Sequence, residues 1–188
     1  MFKFLEMFKK KQPYTIPTVK PTTIHKKDDK TQHDLFLTEL ENLLASSNLF
    51  KVQYIKKYLN LYKTYKPFTG KDHNLLSKQP YFLESLTDEA QQFKKNEIKS
   101  YAKNIILLAN RRAYAKVTLN RFKEDNLFQE VSLIFPKNEL ICEKIIAQKR
   151  KYHNKTIPIS KVPIFPVITC IKCPACHLGI MYKPYIKI

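Results

Sequence analysis

The chain has 188 residues, of which 34 are basic and 16 are acidic, so its formal net charge is +18. Apolar residues make up 44% of the chain, enough to build a hydrophobic core, but Gly70 and Gly179 are its only glycines. This scarcity argues against the glycine-rich phosphate loops of P-loop and Rossmann nucleotide sites, and the charge favours a polyanionic partner.

The positive charge is concentrated in the second half of the chain. Residues 31–90 are balanced, with 7 basic and 7 acidic side chains, whereas residues 91–155 carry 15 basic and 6 acidic ones. Residues 156–188 add 4 lysines and no acidic side chain. Solubility explains a net charge of a few units but not this asymmetry, which favours nucleic acid or an anionic membrane surface as the partner.

Residues 1–30 are predicted to form an extended basic arm. Its apolar start, Phe2–Phe8, is interrupted by Lys3 and Glu6, which argues against a signal peptide. That start is expected to form an amphipathic turn that docks on the protein, on a partner or at a membrane surface. Three prolines in residues 12–30 favour extended backbone. No run of about 18 apolar residues occurs, so we expect no membrane-spanning helix and an intracellular location, soluble or particle-associated, in the cytoplasm or an organelle matrix.

Residues 31–154 are predicted to form a helical domain. In several segments apolar residues recur every three or four positions, and residues that favour helix starts precede them. The first three helices are predicted over 31–47, from Asn48 to just before Pro67, and from Thr87 to about Asn120.

Two more helices are predicted at the end of this domain. Residues 127–135, LFQEVSLIF, fit a helix or a strand, and we expect a helix. Pro136 then opens a helix that ends in the basic run Lys149–Lys151. Residues 155–188 follow as a proline-rich extended segment with a cysteine cluster. The expected fold is mainly α, a helical domain with the basic N-terminal arm and a small C-terminal β-hairpin module resembling a zinc knuckle.

Three of the four cysteines lie in the stretch CIKCPACHLGIMY, residues 170–182. Zinc is held in tetrahedral sites by thiolates and imidazoles, and a Cys-x-x-Cys pair lets two sulfurs reach one ion across a tight turn. The extended segment before the cluster and Ile180–Tyr182 are predicted to be the two strands of the hairpin. The predicted ligands of a structural zinc ion are Cys170, Cys173, Cys176 and His177.

The fourth zinc ligand is not fixed by this spacing. His177 adjoins Cys176, which makes it awkward for both to reach one ion, and His153 or Cys142 are the alternatives. Cys142 is expected on an apolar helix stripe, where it is most simply a core residue. The cluster also fits three other chemistries, namely a c-type haem attached through Cys173, Cys176 and His177, part of an iron–sulfur site, or buried thiols.

Cations on the predicted helices are candidate contacts for a phosphate backbone. Three of the lysines form a row with a spacing of four residues, which places them on one side of a helix. The full candidate set is Lys95, Lys99, Lys103, Arg111, Arg112, Lys116, Arg121, Lys149, Arg150 and Lys151. A second candidate is the segment 54–65, where tyrosines alternate with lysines. Such rings stack on unpaired bases, but on an amphipathic helix core packing is the favoured interpretation.

No catalytic constellation is present, because the histidines lack ligand spacing and the adjacent carboxylates lie at helix starts or in the arm. We therefore expect a non-enzymatic protein with a structural zinc site that binds a nucleic-acid backbone, with RNA favoured over DNA. Its expected setting is a larger ribonucleoprotein particle whose protein subunits are further partners. The alternatives are a DNA-binding accessory protein of replication, transfer or transcription, a helical scaffold subunit of a protein complex, and a haem or iron–sulfur redox protein.

Overall fold

The computed structural model describes residues 26–64, 72–125, 127–135, 142–167, 171, 173 and 180–186. Residues 1–25 of the predicted arm, the segment 136–141 and the cluster residues Cys170, Cys176 and His177 lie outside this part of the chain. Helices dominate the described residues, and a small antiparallel sheet of three strands lies toward the C-terminus. The mainly helical fold class is therefore confirmed, whereas the extended arm and the zinc knuckle remain predictions.

Five α-helices and three β-strands occur within the described ranges. The helices are α1 (Lys26–Ser46), α2 (Val52–Lys63), α3 (Asp88–Gln91), α4 (Lys95–Glu124) and α5 (Glu143–Tyr152). The strands are β1 (Phe128–Ile134), β2 (Thr156–Pro158) and β3 (Met181–Ile186). Short 3-10 turns lie at Asp72–Asn74, Leu76–Lys78 and Ile159–Lys161.

The first two helices lie close to where the apolar spacing predicts them. α1 begins at Lys26, inside the predicted arm, and continues to Ser46. Asn48 then adopts left-handed backbone with a φ of 55°, a conformation that asparagine tolerates better than most residues. Because of this turn, α2 begins at Val52 and not at Asn48.

The single long helix predicted from Thr87 is divided into α3 and α4. The hydroxyl of Thr87 accepts a hydrogen bond from the amide of Ala90 (3.2 Å), which caps α3. After that one turn, the amide of Lys94 donates to Glu97 Oε2 (3.1 Å) and starts α4. The second cap satisfies a backbone amide at the break, and apolar periodicity carries no signal of such a restart.

The main hydrophobic core forms where α1 packs against both α2 and α4, and where the 3-10 turns Asp72–Asn74 and Leu76–Lys78 pack against α4. Burying an apolar side chain of this size stabilises a fold by roughly 1.5–3 kcal/mol, so this core supplies most of the packing energy. Its largest fully buried side chains include Phe36, Leu40, Leu43, Leu44, Tyr58, Tyr62, Leu76, Leu86, Ile98 and Ile105.

Residues 128–134 form a strand, so the helix prediction for this stretch is wrong. The side chains of Val131, Leu133 and Phe135 are buried, whereas Ile134 between the last two is exposed. This alternation is the period of a strand. β1 is the central strand of the sheet, with β2 on one side and β3 on the other. The sequence fits the period of a helix and that of a strand about equally well. Hydrogen bonds to a neighbouring strand on each side of β1 decide in favour of the strand.

The pairing of β3 differs from the predicted hairpin. Within the described chain β3 pairs antiparallel with β1, where Leu133 lies opposite Tyr182. The extended segment after α5 contributes β2, which pairs with the other edge of β1 and places Ile157 opposite Val131. The apolar strand β1 thus separates the two segments that were expected to pair with each other.

A second, smaller core lies at the sheet. It draws on residues from both sides of the boundary expected near residue 155, so β1 and α5 pack together with the C-terminal segment. Its buried members are Leu133, Phe135, Ile145, Ile157 and Phe165.

A buried carboxylate joins α1 to α4. Glu39 is only 1% exposed, and its two oxygens meet Arg112 Nε and Lys116 Nζ, each at 2.5 Å. Arg112 Nη1 also donates to the carbonyl oxygens of Ile164 (3.1 Å) and Pro166 (2.6 Å). One cluster of ion pairs and hydrogen bonds therefore holds two helices and the segment that leads toward the cysteines.

This cluster lowers the pKa of Glu39. Burial by itself raises that pKa, because a charged carboxylate is poorly solvated in the interior. Hydrogen bonds from Lys116 and Arg112, together with their positive charges, outweigh burial and bring the pKa below 4.5. Because the unfolded chain has the higher pKa, the ionised Glu39 stabilises the fold above pH 4.5, and this contribution is lost as the pH falls through the lowered value.

Glu39→Gln is expected to lower the free energy of unfolding by about 3–5 kcal/mol at neutral pH, because the amide leaves two partly buried cations without a counter-charge. The difference from the wild type should shrink as the pH falls through the lowered pKa, since the protonated wild-type side chain is also uncharged. Urea unfolding followed by circular dichroism, at neutral pH and well below pH 4.5, measures both effects.

The matched control is Glu41→Gln, because Glu41 is exposed on the same helix. A surface substitution of this kind changes stability by less than about 0.5 kcal/mol. Equal losses from the two variants would show that the ion pairs of Glu39 contribute no more than a surface charge.

Candidate nucleic-acid interface

An exposed row of cations runs along α4. The helix has 30 residues and is therefore about 45 Å long. Five of its exposed cations fall within about half of its circumference, and the helix carries only two acidic side chains, one near each end. The exposed members of the row are Lys95, Lys99, Lys103, Arg111 and Arg121. Its three lysines and Arg111 form no ion pair within the described chain.

Two of the predicted phosphate contacts, Arg112 and Lys116, lie on the side of α4 that faces α1. Both pair with Glu39, and the side chain of Arg112 is only 14% exposed. One residue along a helix turns the side chain by about 100°, so the neighbouring Arg111 is exposed. The candidate interface therefore contains Arg111 and leaves out Arg112 and Lys116.

The remaining predicted contacts form the last turn of α5. Arg150 and Lys151 are exposed and Lys149 is half-buried. Lys151 Nζ lies 5.1 Å from the ring centre of Tyr152. Cations at this end of a helix also complement the partial negative charge of the helix C-terminus, so this basic patch has a structural role of its own.

The tyrosine-rich face of α2 belongs to the main core. Tyr54, Tyr58 and Tyr62 are all buried, and the hydroxyl oxygens of Tyr58 and Ser85 lie 2.6 Å apart. Burial raises the pKa of Tyr58 to about 12, so its hydroxyl stays neutral at physiological pH. None of these three rings is available to stack on a base.

Cys142 is the N-cap residue of α5. It therefore does not lie on the apolar helix stripe that the sequence predicted for it. Its backbone is extended, with φ of −71° and ψ of 161°. Its carbonyl oxygen accepts hydrogen bonds from the amides of Ile145 (2.9 Å) and Ile146 (3.0 Å). The half-buried side chains of Cys142 and Cys173 both pack against the second core. Folding therefore brings two cysteines from distant parts of the sequence to one small apolar cluster.

His153 lies at the opposite end of α5, where it is exposed. The ten residues of α5 place its two ends about 15 Å apart, so Cys142 and His153 are not neighbours. Among the residues that the structure describes, no group of three or more potential metal ligands occurs. Cys170, Cys176 and His177 lie outside those residues.

The segment around the cysteines is anchored to α4 and to the sheet. The buried Asn104 donates from Nδ2 to the carbonyl oxygen of Ile171 (3.0 Å). The hydroxyl of Tyr182 donates to the carbonyl oxygen of Pro163 (3.0 Å) and accepts from the amide of Phe165 (2.8 Å). Burial raises the pKa of Tyr182 to about 12, so this hydroxyl remains a donor at physiological pH.

A cavity of about 240 Å³ lies between α4, the Phe165–Pro166 turn and the start of β3. Arg111 of the cation row lines it, together with the exposed Tyr114. Tyr114 is not among the contacts predicted from the sequence, because only the packing of β3 beside α4 places a cavity next to it. A tyrosine among regularly spaced cations was the signal that could have marked it.

Comparison with protein-family models, with curated proteins and with solved structures finds no match to this chain. Of the helices in the described ranges, none is both long enough and apolar enough to cross a membrane. The charge, exposure and geometry of the described residues are therefore the basis for assigning a function.

Arg112→Gln is expected to lower the free energy of unfolding by about 3–5 kcal/mol, because it breaks the buried ion pair and leaves two carbonyl groups without a donor. Arg111→Gln removes the same charge one residue earlier and is expected to change it by less than about 0.5 kcal/mol. Urea unfolding of the two variants gives the comparison. Similar losses in both would refute the division of the two arginines into a buried and a surface role.

Proposed function

We propose that this protein is a non-enzymatic RNA-binding protein that holds a nucleic-acid backbone along α4 as part of a larger ribonucleoprotein particle. The observation that carries the proposal is the exposed row of cations on α4, in which the lysines and Arg111 have no acidic partner within the described chain. Cations that meet phosphates release condensed counter-ions, and this release drives sequence-independent binding.

The dimensions of the row support a backbone ligand. From Lys95 to Arg121 the helix rises about 39 Å. A nucleic-acid strand carries a phosphate every few ångströms along such a length, so each exposed cation has a phosphate within its reach. The chain as a whole carries a net charge of +18, which attracts a polyanion over a longer range and speeds association.

RNA within a particle is favoured because of the basic segments at both ends of the chain. Residues 1–30 and 156–188 carry net charges of +5 and +4. The second segment contributes two strands and buried side chains to the fold and places the exposed Lys183 on the sheet. A proline-containing basic arm, such as the one predicted for residues 1–30, can instead order along a phosphate surface when it binds. DNA is the competing ligand, and direct comparison of the two nucleic acids in one binding assay distinguishes them.

A structural zinc ion is the second part of the proposal. We propose Cys170, Cys173 and Cys176 as three of its ligands on the basis of their spacing. For the fourth, the position of Cys142 beside the second core favours it over His153, because Cys173 packs against the same cluster. The N-terminus of α5 also favours negative charge, and zinc is bound by the thiolate. Cys142 therefore replaces His177 as the fourth ligand in this proposal.

The triple variant Lys95→Gln, Lys99→Gln, Lys103→Gln is expected to weaken RNA binding and to reduce its salt dependence. Each lost contact to single-stranded nucleic acid lowers the slope of log K against log salt by about 0.7, so the slope should fall by about 2. Fluorescence anisotropy with labelled RNA over a range of salt concentrations measures it. Wild-type binding that does not respond to salt would contradict the nucleic-acid proposal.

The matched control removes three exposed lysines elsewhere, with Lys56→Gln, Lys63→Gln and Lys78→Gln. It has the same net charge as the first triple variant and leaves α4 intact. If both triple variants lose the same slope, overall charge alone drives binding, and α4 is not the contact surface.

Cys142→Ser is expected to weaken zinc binding by at least about tenfold, because even groups that only support a metal ligand contribute that much. Cobalt reports the ligands directly, since thiolate-to-cobalt absorption grows with the number of bound sulfurs. The Cys142→Ser variant should lose absorption corresponding to one sulfur. A nitrogen ligand adds no thiolate absorption but affects the cobalt d–d bands, so His177→Ala should leave the d–d bands unchanged. A changed d–d spectrum in His177→Ala, with full thiolate absorption in Cys142→Ser, would assign the fourth position to His177.

A further inference from the structure

The cavity beside Tyr114 has walls suited to a flat aromatic group. Phe165, Pro166 and Tyr182 line it from the C-terminal segment. At its edge Tyr114 is 55% exposed and Met181 is 58% exposed. Exposing a large apolar side chain to water is unfavourable in free energy, and a ligand that covers the side chain removes this cost. Two such side chains beside one cavity therefore point to an apolar or aromatic ligand.

The polar groups that line the cavity favour an anion bound beside that aromatic group. Among the described residues that line the cavity, Arg111 is the only charged one, and it takes part in no ion pair within the described chain. The hydroxyl of Tyr182 is already engaged with two backbone groups. The hydroxyl of Thr118, also in the lining, donates to the carbonyl oxygen of Tyr114 (2.9 Å). The guanidinium of Arg111 is therefore left for a phosphate, which it can meet with two hydrogen bonds.

The volume limits how much of a nucleotide can enter. Pockets for drug-sized ligands occupy roughly 300–1,000 Å³, and this cavity of about 240 Å³ is smaller. A single ring system fits that scale better than a complete nucleotide. The sugar and the phosphate would then remain outside, where Arg111 is exposed.

The position of the cavity matches the path of the proposed backbone. Along α4, Tyr114 follows Lys103 and Arg111 and precedes Arg121, on the exposed side of the helix. A strand held by these cations passes the mouth of the cavity. Bases in a duplex are paired and stacked, so only an unpaired base can turn into it.

We propose that this cavity takes one unpaired base of single-stranded RNA, which stacks on Tyr114 while Arg111 pairs with the adjoining phosphate. The proposal rests on the proposed function, because the cations of α4 bring the strand to the cavity. It adds a preference for single-stranded over double-stranded RNA, which the row of cations alone does not provide.

The test uses the full chain and fluorescein-labelled oligouridine, either alone or annealed to oligoadenosine. Tyr114→Ala should bind the single strand at least about fivefold more weakly, as expected when one base loses its aromatic stacking partner. Its affinity for the duplex and its salt slope should stay unchanged, because no phosphate contact is lost. Tyr114→Phe retains the ring and should bind like the wild type.

Tyr185→Ala is the control, since it removes another exposed tyrosine, on β3, and should leave both affinities unchanged. Ultraviolet cross-linking of the single strand should attach uridine to the peptide that contains Tyr114. Failure of the wild type to bind either RNA would refute the proposed function and this inference together. Salt-dependent wild-type binding that Tyr114→Ala leaves intact, or weakens equally for both RNAs, would overturn the inference alone. If the peptide that contains Tyr114 cross-links to a co-purified protein and not to RNA, the inference would also be overturned.

Discussion

The burial of Glu39 is the constraint on which the arrangement of the molecule depends. A carboxylate is tolerated in an interior only where cations meet it, and Arg112 and Lys116 of α4 do so from one side. Arg112 then extends the same cluster to the carbonyl groups of Ile164 and Pro166. The helical core, the segment before the cysteines and the sheet are thereby held in one arrangement, and the exposed side of α4 is fixed relative to all of them.

That constraint also sorts the cations of α4 into two groups. Arg112 and Lys116 neutralise a buried charge, while Arg111 and the lysines of the row have no carboxylate to pair with in the described chain. The position of Glu39 therefore determines which cations of α4 are engaged in the fold, while the excess of positive charge comes from the composition of the chain. The proposed function uses the second group, the cations that have no acidic partner within the described chain.

The sequence predicted those parts of the molecule that depend on local spacing. The apolar repeats predicted α1 and α2 to within about five residues at each end. Thr87 marked the start of a third helix, although the single helix predicted from it is divided into α3 and α4. Side-chain period and capping are local properties, which is why they could be read from the sequence. The strand β1 was missed because its edges are paired by segments far away in the chain. For the same reason neither the burial of Arg112 nor the cavity beside Tyr114 could be predicted, since each exists only after distant elements pack together.

The order β2-β1-β3 has a consequence for how the protein is made. Among the described residues, those of the main core precede the cysteines, with Ile171 as the exception. That core can therefore gather on the ribosome while the cysteines are still being translated. β3 follows the cysteines in the chain and pairs with the much earlier β1, so the sheet stays incomplete until after they emerge. Any metal that those thiols bind can therefore enter before β3 has paired with β1.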